Sequence, residues 1–106
     1  MGQYCNWDGT LMFDPKYEIN EKTGKPRVYF KVKCPANYSK PGEERFDIVA
    51  FEAWGDTADF CATLRGGDMV VIVGRVGSYS VTKGDVTEYR LKVTAEKVLK
   101  LEAPAE

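Results

Sequence analysis

The chain has 106 residues, 43% hydrophobic and 29% charged, with a formal net charge of −1, a length that holds one domain and one core but not a catalytic domain beside a substrate domain. There is no histidine, and the three cysteines, Cys5, Cys34 and Cys61, form no CxxC pair, so disulfide scaffolds, zinc sites and histidine-dependent catalysis are disfavoured and no cofactor is expected. The longest apolar run, Met69 to Val73, is far short of a membrane span, and Met1 to Thr10 has neither the basic start nor the apolar stretch of a signal peptide, so a cytoplasmic domain without membrane contact is expected.

The first predicted strand runs from Gln3 to Phe13 and ends at the Asp14-Pro15 turn. A second turn, Thr23-Gly24-Lys25-Pro26, precedes the second strand, Arg27 to Cys34, where Val28, Phe30, Val32 and Cys34 alternate with Arg27, Tyr29, Lys31 and Lys33. One face is core; the other is basic with an aromatic in it. This strand lies in residues 16–45, which carry eight basic against four acidic side chains, so a near-neutral chain holds a locally positive segment. After a loop from Pro35 to Gly42, the third strand, Arg45 to Trp54, sets Val49, Phe51 and Ala53 on one face and Phe46, Ile48, Ala50, Glu52 and Trp54 on the other. The second set is an odd solvent face unless nucleic acid or another protomer covers it.

Asp56 to Leu64 switches to helical spacing, with Asp56 as N-cap, Phe60 and Leu64 as the buried stripe, and Gly66-Gly67 as the stop. The fourth strand, Asp68 to Val81, and the fifth, Val86 to Lys100, flank the turn Lys83-Gly84-Asp85; residues 75–100 are again basic, six against three. Three strands, a helix and two strands is the order of an all-β, five-stranded OB barrel with one short helix between strands three and four. Residues 1–101 are assigned to this domain and 102–106 to a short C-terminal stub.

Three segments then carry a family resemblance. Gly9-Thr10-Leu11-Met12-Phe13-Asp14-Pro15-Lys16-Tyr17 resembles the G-N-L-x-x-D-P-E-x segment of the bacterial and phage single-stranded DNA-binding proteins, with Thr10 for Asn and Lys16 for Glu. Ala53-Trp54-Gly55-Asp56-Thr57-Ala58-Asp59-Phe60 is similar to their A-W-G-K-T-A-E stretch, and Leu64-Arg65-Gly66-Gly67-Asp68 through Gly74-Arg75 to their L-x-K-G-x-x-V-x-V-E-G-R segment, after a one-residue deletion before Leu64. The resemblance implies a non-catalytic, sequence-tolerant binder of single-stranded DNA in replication, recombination or repair, acting as a homo-oligomer, either dimer or tetramer. Relatives commonly continue into a linker and an acidic tip, whereas this sequence stops at Leu101 to Glu106, as expected of either a core fragment or a shorter phage or plasmid relative.

A single strand offers phosphates at short intervals and base faces free to stack, so its binder needs cations along a groove and aromatic platforms. Arg27, Lys31 and Lys33 fit as phosphate contacts with Tyr29 between them; the competing reading is an ordinary solvated strand face. The resemblance aligns Trp54 with a stacking aromatic, against a core tryptophan at the barrel bottom, and Tyr38 with another, against a tyrosine packing its own loop. Arg75 and Tyr79 share the outward parity of the fourth strand, at the base of a hairpin finger, although Val81 stands where the family often has an aromatic. Trp7 is either core or oligomer contact, and the cysteines are read as small buried hydrophobes. The rival function is an OB-fold protein-interaction module, primosome-like, with little or no DNA binding.

Overall fold

A computed structural model describes residues 4–36 and 40–101. The elements run β1 (Tyr4–Leu11), β2 (Lys16–Ile19), β3 (Pro26–Pro35), β4 (Phe46–Trp54), α1 (Gly55–Cys61), β5 (Met69–Lys83) and β6 (Val86–Leu101). The sheet order is β1-β5-β6-β4-β3-β2, and an additional β1–β3 pairing closes five of these strands into a ring. This is the OB barrel, with the helix between its third and fourth ring strands.

β3 explains why the ring closes. It lies against β4 over its whole length, against β2 through its first half and against β1 at Lys33 and Val32. Its alternation is the one read from sequence: Val28, Phe30, Val32 and Cys34 are buried. Phe30 stacks on Phe51 at 5.4 Å between centroids, and Trp7 meets Phe51 edge-on at 5.2 Å. Trp7 therefore points into the barrel and packs on the core, which removes its side chain from the oligomer contact considered for it. Cys34 and Cys61 are buried, while Cys5 is exposed, contrary to its reading as a buried hydrophobe.

Three local expectations need correction. Lys16–Ile19, given no element between the two turns in the sequence reading, is a strand, because it completes the open first half of β3 with Lys16 opposite Tyr29 and Glu18 opposite Arg27. The helix is not capped by Asp56: Trp54 occupies the N-cap position in extended conformation without a side-chain cap, and Gly55 at φ 63° turns the chain straight from strand into helix. Asp56 falls in the first turn instead. Finally, the helix ends at Cys61 and buries Ala58 and Cys61, while Phe60 is exposed. Gly66 and Gly67 dock the following loop onto the end of β1, where Gly66 N–H donates to Asp14 Oδ1 (2.8 Å) and Gly67 N–H to the Leu11 carbonyl (2.8 Å). Leu64, beyond the helix, is buried as expected.

Candidate nucleic-acid interface

The outward side chains of β3 and β4 are paired residue by residue across the ladder: Arg27 with Trp54, Tyr29 with Glu52, Lys31 with Ala50, Lys33 with Ile48. Two-residue periodicity on both strands thus turns two sequence patterns into one strip in which each cationic residue of β3 faces an apolar or aromatic residue of β4, while Tyr29 faces the acid Glu52. From Arg27 to Lys33 the strip runs about 20 Å at the rise of a strand. Phe46, Ile48 and Trp54 are exposed along it, so the apolar outward face read from sequence is present and uncovered.

Beside this strip the barrel wall opens. β4 and β6 run parallel and are paired at one position, Glu52 with Thr94, because their earlier residues splay apart. The gap forms an open cleft of about 660 Å³ whose walls include Arg27, Tyr29 and Ile48 on one side and Tyr79, Leu91 and Lys92 of the β5–β6 hairpin on the other. The hairpin is a long ribbon, paired from Met69 with Leu101 to Lys83 with Val86. Its exposed Tyr79 and Leu91 give the cleft an aromatic and an aliphatic wall.

The charged groups of the strip are organised around Glu52, which is only 8% exposed. Arg27 donates from Nη2 to Glu52 Oε2 and from Nη1 to Glu18 Oε1, each at 3.0 Å. Lys92 Nζ lies 2.8 Å from Glu52 Oε1, an ion pair rather than an aligned hydrogen bond. Burial pushes the Glu52 carboxyl up, but Lys92 and Arg27, with a smaller contribution from Trp54, outweigh it and hold it below the ordinary carboxylate range. The Arg27 guanidinium also lies over the Trp54 ring, 5.5 Å from its centroid. Farther along, Lys33 Nζ sits 4.1 Å from the Phe46 centroid. Neither Lys31 nor Lys33 has a carboxylate partner among the described residues.

The structure therefore brings Arg27, Tyr29 and Tyr79 to one cleft and places Lys31, Lys33 and Trp54 on the adjoining strip. Trp54 is 38% exposed rather than enclosed in the barrel. Arg75 is not among the residues lining the cleft; it lies opposite Tyr4 and Thr94 and pairs with Glu96 at 2.6 Å. Tyr38 lies outside the described residues. Sequence reasoning missed Leu91 and Lys92. The signal for them was an apolar and a basic residue in a positively charged stretch just past a tight turn, but nothing in one dimension says that β6 returns beside β4.

Comparison with known proteins agrees with this architecture. The Single-strand binding protein family matches residues 7–101, and the chain belongs to that family. A single-stranded DNA-binding protein of Mycoplasma pneumoniae is 30% identical over 95 residues, covering 85% of this chain and 55% of the relative. Its counterpart in Mycoplasma genitalium is 29% identical over 91 residues, with the same coverage. The chain thus spans about half the length of the curated relatives it matches. No described helix is long and apolar enough to cross a membrane.

Proposed function

We propose that this chain binds single-stranded DNA without regard to sequence and without catalysis, laying the strand along the outward face of β3 and β4 with bases turned toward the cleft beside β6. The observation that carries the reading is the ladder itself: lysines at 31 and 33, without acidic partners among the described residues, alternate along one strand with an aromatic at 29, and Trp54 and the apolar side chains of β4 lie directly across. Cations in a row suit a phosphate backbone, and exposed aromatic and aliphatic faces suit bases that are not paired. Tyr29, Trp54 and Tyr79 are the stacking platforms, Lys31 and Lys33 the phosphate contacts. Arg27 serves mainly by holding Trp54, since both terminal nitrogens of its guanidinium already meet carboxylates. Tyr38 is assigned a further platform on the family resemblance, and Arg75 a peripheral phosphate contact. Residues 1–101 are the binding domain.

The chain acts in the cytoplasm, in replication, recombination or repair, as a dimer or tetramer. What supports an oligomer is the outward face of β1, β5 and β6, where Tyr4, Met69, Leu99 and Leu101 are exposed. The test of the function is competition: a labelled oligo(dT) should be displaced by unlabelled single strands of any sequence far better than by duplex of equal length. Equal competition by duplex would leave simple electrostatics as sufficient, and absence of any binding at low salt would favour the protein-interaction role.

A further inference from the structure

Glu52 is a nearly buried acid set into a face otherwise suited to a polyanion. An acid buried for packing alone would be costly, and an acid in a phosphate path would repel the ligand. The groups facing it come from three strands. Arg27 approaches from β3 and Lys92 from β6, Tyr29 stands across the ladder, and Trp54 follows on its own strand. Glu18 on β2 takes the other end of Arg27. These four charged groups, Glu18, Arg27, Glu52 and Lys92, sum to zero. Two cations that line the cleft are thereby spent inside the protein, and along β3 the charge without an acidic partner among the described residues is left to Lys31 and Lys33.

We propose that Glu52 is a specificity-determining, positioning residue: by drawing Arg27 and Lys92 into ion pairs it removes their charge from the cleft, so that tight binding requires bases that can stack and excludes polyanions that offer charge alone. The proposal rests on the reading of this face as a single-strand site. A free cation on the face would strengthen binding to any phosphate backbone, duplex included, because the released counterions do not depend on base exposure. A single strand gains from stacking in addition; a duplex does not. Each free cation adds about 0.9 to the salt slope on duplex but only about 0.7 on a single strand, so neutralising Arg27 and Lys92 costs the duplex more and leaves the stacking gain of the single strand intact. The same contacts fix Arg27 over Trp54 and join β6 to β4 where the two strands have their one pairing, so the acid orients the platforms while it discharges the cleft.

Glu52→Gln keeps the size of the side chain and an oxygen for Arg27 while removing the charge. Its salt dependence should be measured on oligo(dT) and on duplex of equal length, beside the wild type. With one or two cations returned to the cleft, the slope of log K against log salt for oligo(dT) should steepen by about 0.7 to 1.4. Duplex affinity at low salt should rise several-fold more than single-strand affinity. A slope unchanged or shallower, or an unchanged ratio of single-strand to duplex affinity, overturns the proposal, because a purely structural acid would weaken both ligands alike without adding a contact. If Glu52→Gln does not unfold cooperatively, Glu18→Gln decides: that carboxylate is exposed, and its loss should steepen the slope in the same direction by a smaller amount, with no change again overturning the idea. Wild-type protein that fails to bind oligo(dT) at all would reject the functional reading, and the proposal with it; wild type that binds beside an unaltered variant rejects the proposal alone.

Discussion

Arg27 stands directly across the ladder from Trp54, with its guanidinium 5.5 Å from the centre of the indole ring and its terminal nitrogens held by Glu18 and Glu52. The arginine is therefore a clamp on the tryptophan more than a free cation. Trp54→Ala should cost about 1 to 3 kcal/mol of single-strand affinity for the base that stacks there while leaving the salt slope nearly unchanged. Thermal unfolding is the control. A sharp drop in melting temperature with normal binding of the folded fraction would mark Trp54 as structural.

Lys31 and Lys33 are expected to behave in the opposite way. Each alanine substitution should lower the salt slope by about 0.7, the value for one lost single-strand phosphate contact, and weaken all base sequences alike. An unchanged slope in both variants would take the phosphate path off β3.

The ion pairs of Glu52 also set an acid limit on stability. Its carboxyl is held below the ordinary value of 4.5 in the folded chain, so the unfolded chain takes up that proton first as pH falls. The stabilisation is complete above the ordinary value and is lost as pH drops through the native one. Denaturant midpoints at pH 7, 5 and 3 should therefore fall more steeply for wild type than for Glu52→Gln. Parallel pH dependences would show that the pairs contribute nothing to folding.

Close approach at the β5–β6 irregularity gives a packing prediction. A Cβ at Gly74 would lie 2.2 Å from the Thr94 carbonyl oxygen, where the register between the two strands shifts. Since the obstructing atom is backbone, Gly74→Ala should destabilise by about 1 to 3 kcal/mol or more in urea unfolding. A neutral result would mean that the ribbon shifts freely at this point.

Thiol accessibility separates the cysteines. Burial pushes the Cys61 thiol up to about 12 and raises that of Cys34, with Asp8 and Asp47 adding to the latter, whereas Cys5 lies exposed on β1. A thiol reagent should add one label to the native protein and three after denaturation. Native labelling at Cys61 would contradict the packing of α1.

How much of this was legible in the sequence depended on how local each signal was. The alternation of Val28, Phe30, Val32 and Cys34 marked β3 correctly because one strand's burial pattern needs only its own residues. β2 escaped because four exposed residues on a sheet edge carry no burial pattern at all. Phe60 was misassigned because helical spacing gives a stripe without saying which residues form it, and the start of α1 at Gly55 rotates Ala58 and Cys61 inward instead. The cleft and the Glu18–Arg27–Glu52–Lys92 cluster could not be read in advance. They join β2, β3, β4 and β6, and their meeting depends on ring closure and on the single β4–β6 pairing.

The claim that a single strand lies on the outward face of β3 and β4 is tested most directly by two single-tryptophan proteins. Trp7→Phe leaves the exposed Trp54, and Trp54→Phe leaves Trp7, which packs against Phe51 on the inner side. On titration with oligo(dT), emission from the Trp7→Phe protein should be strongly quenched and that from the Trp54→Phe protein should hardly change. Quenching that survives in Trp54→Phe and disappears in Trp7→Phe would place the strand on another surface and contradict the account.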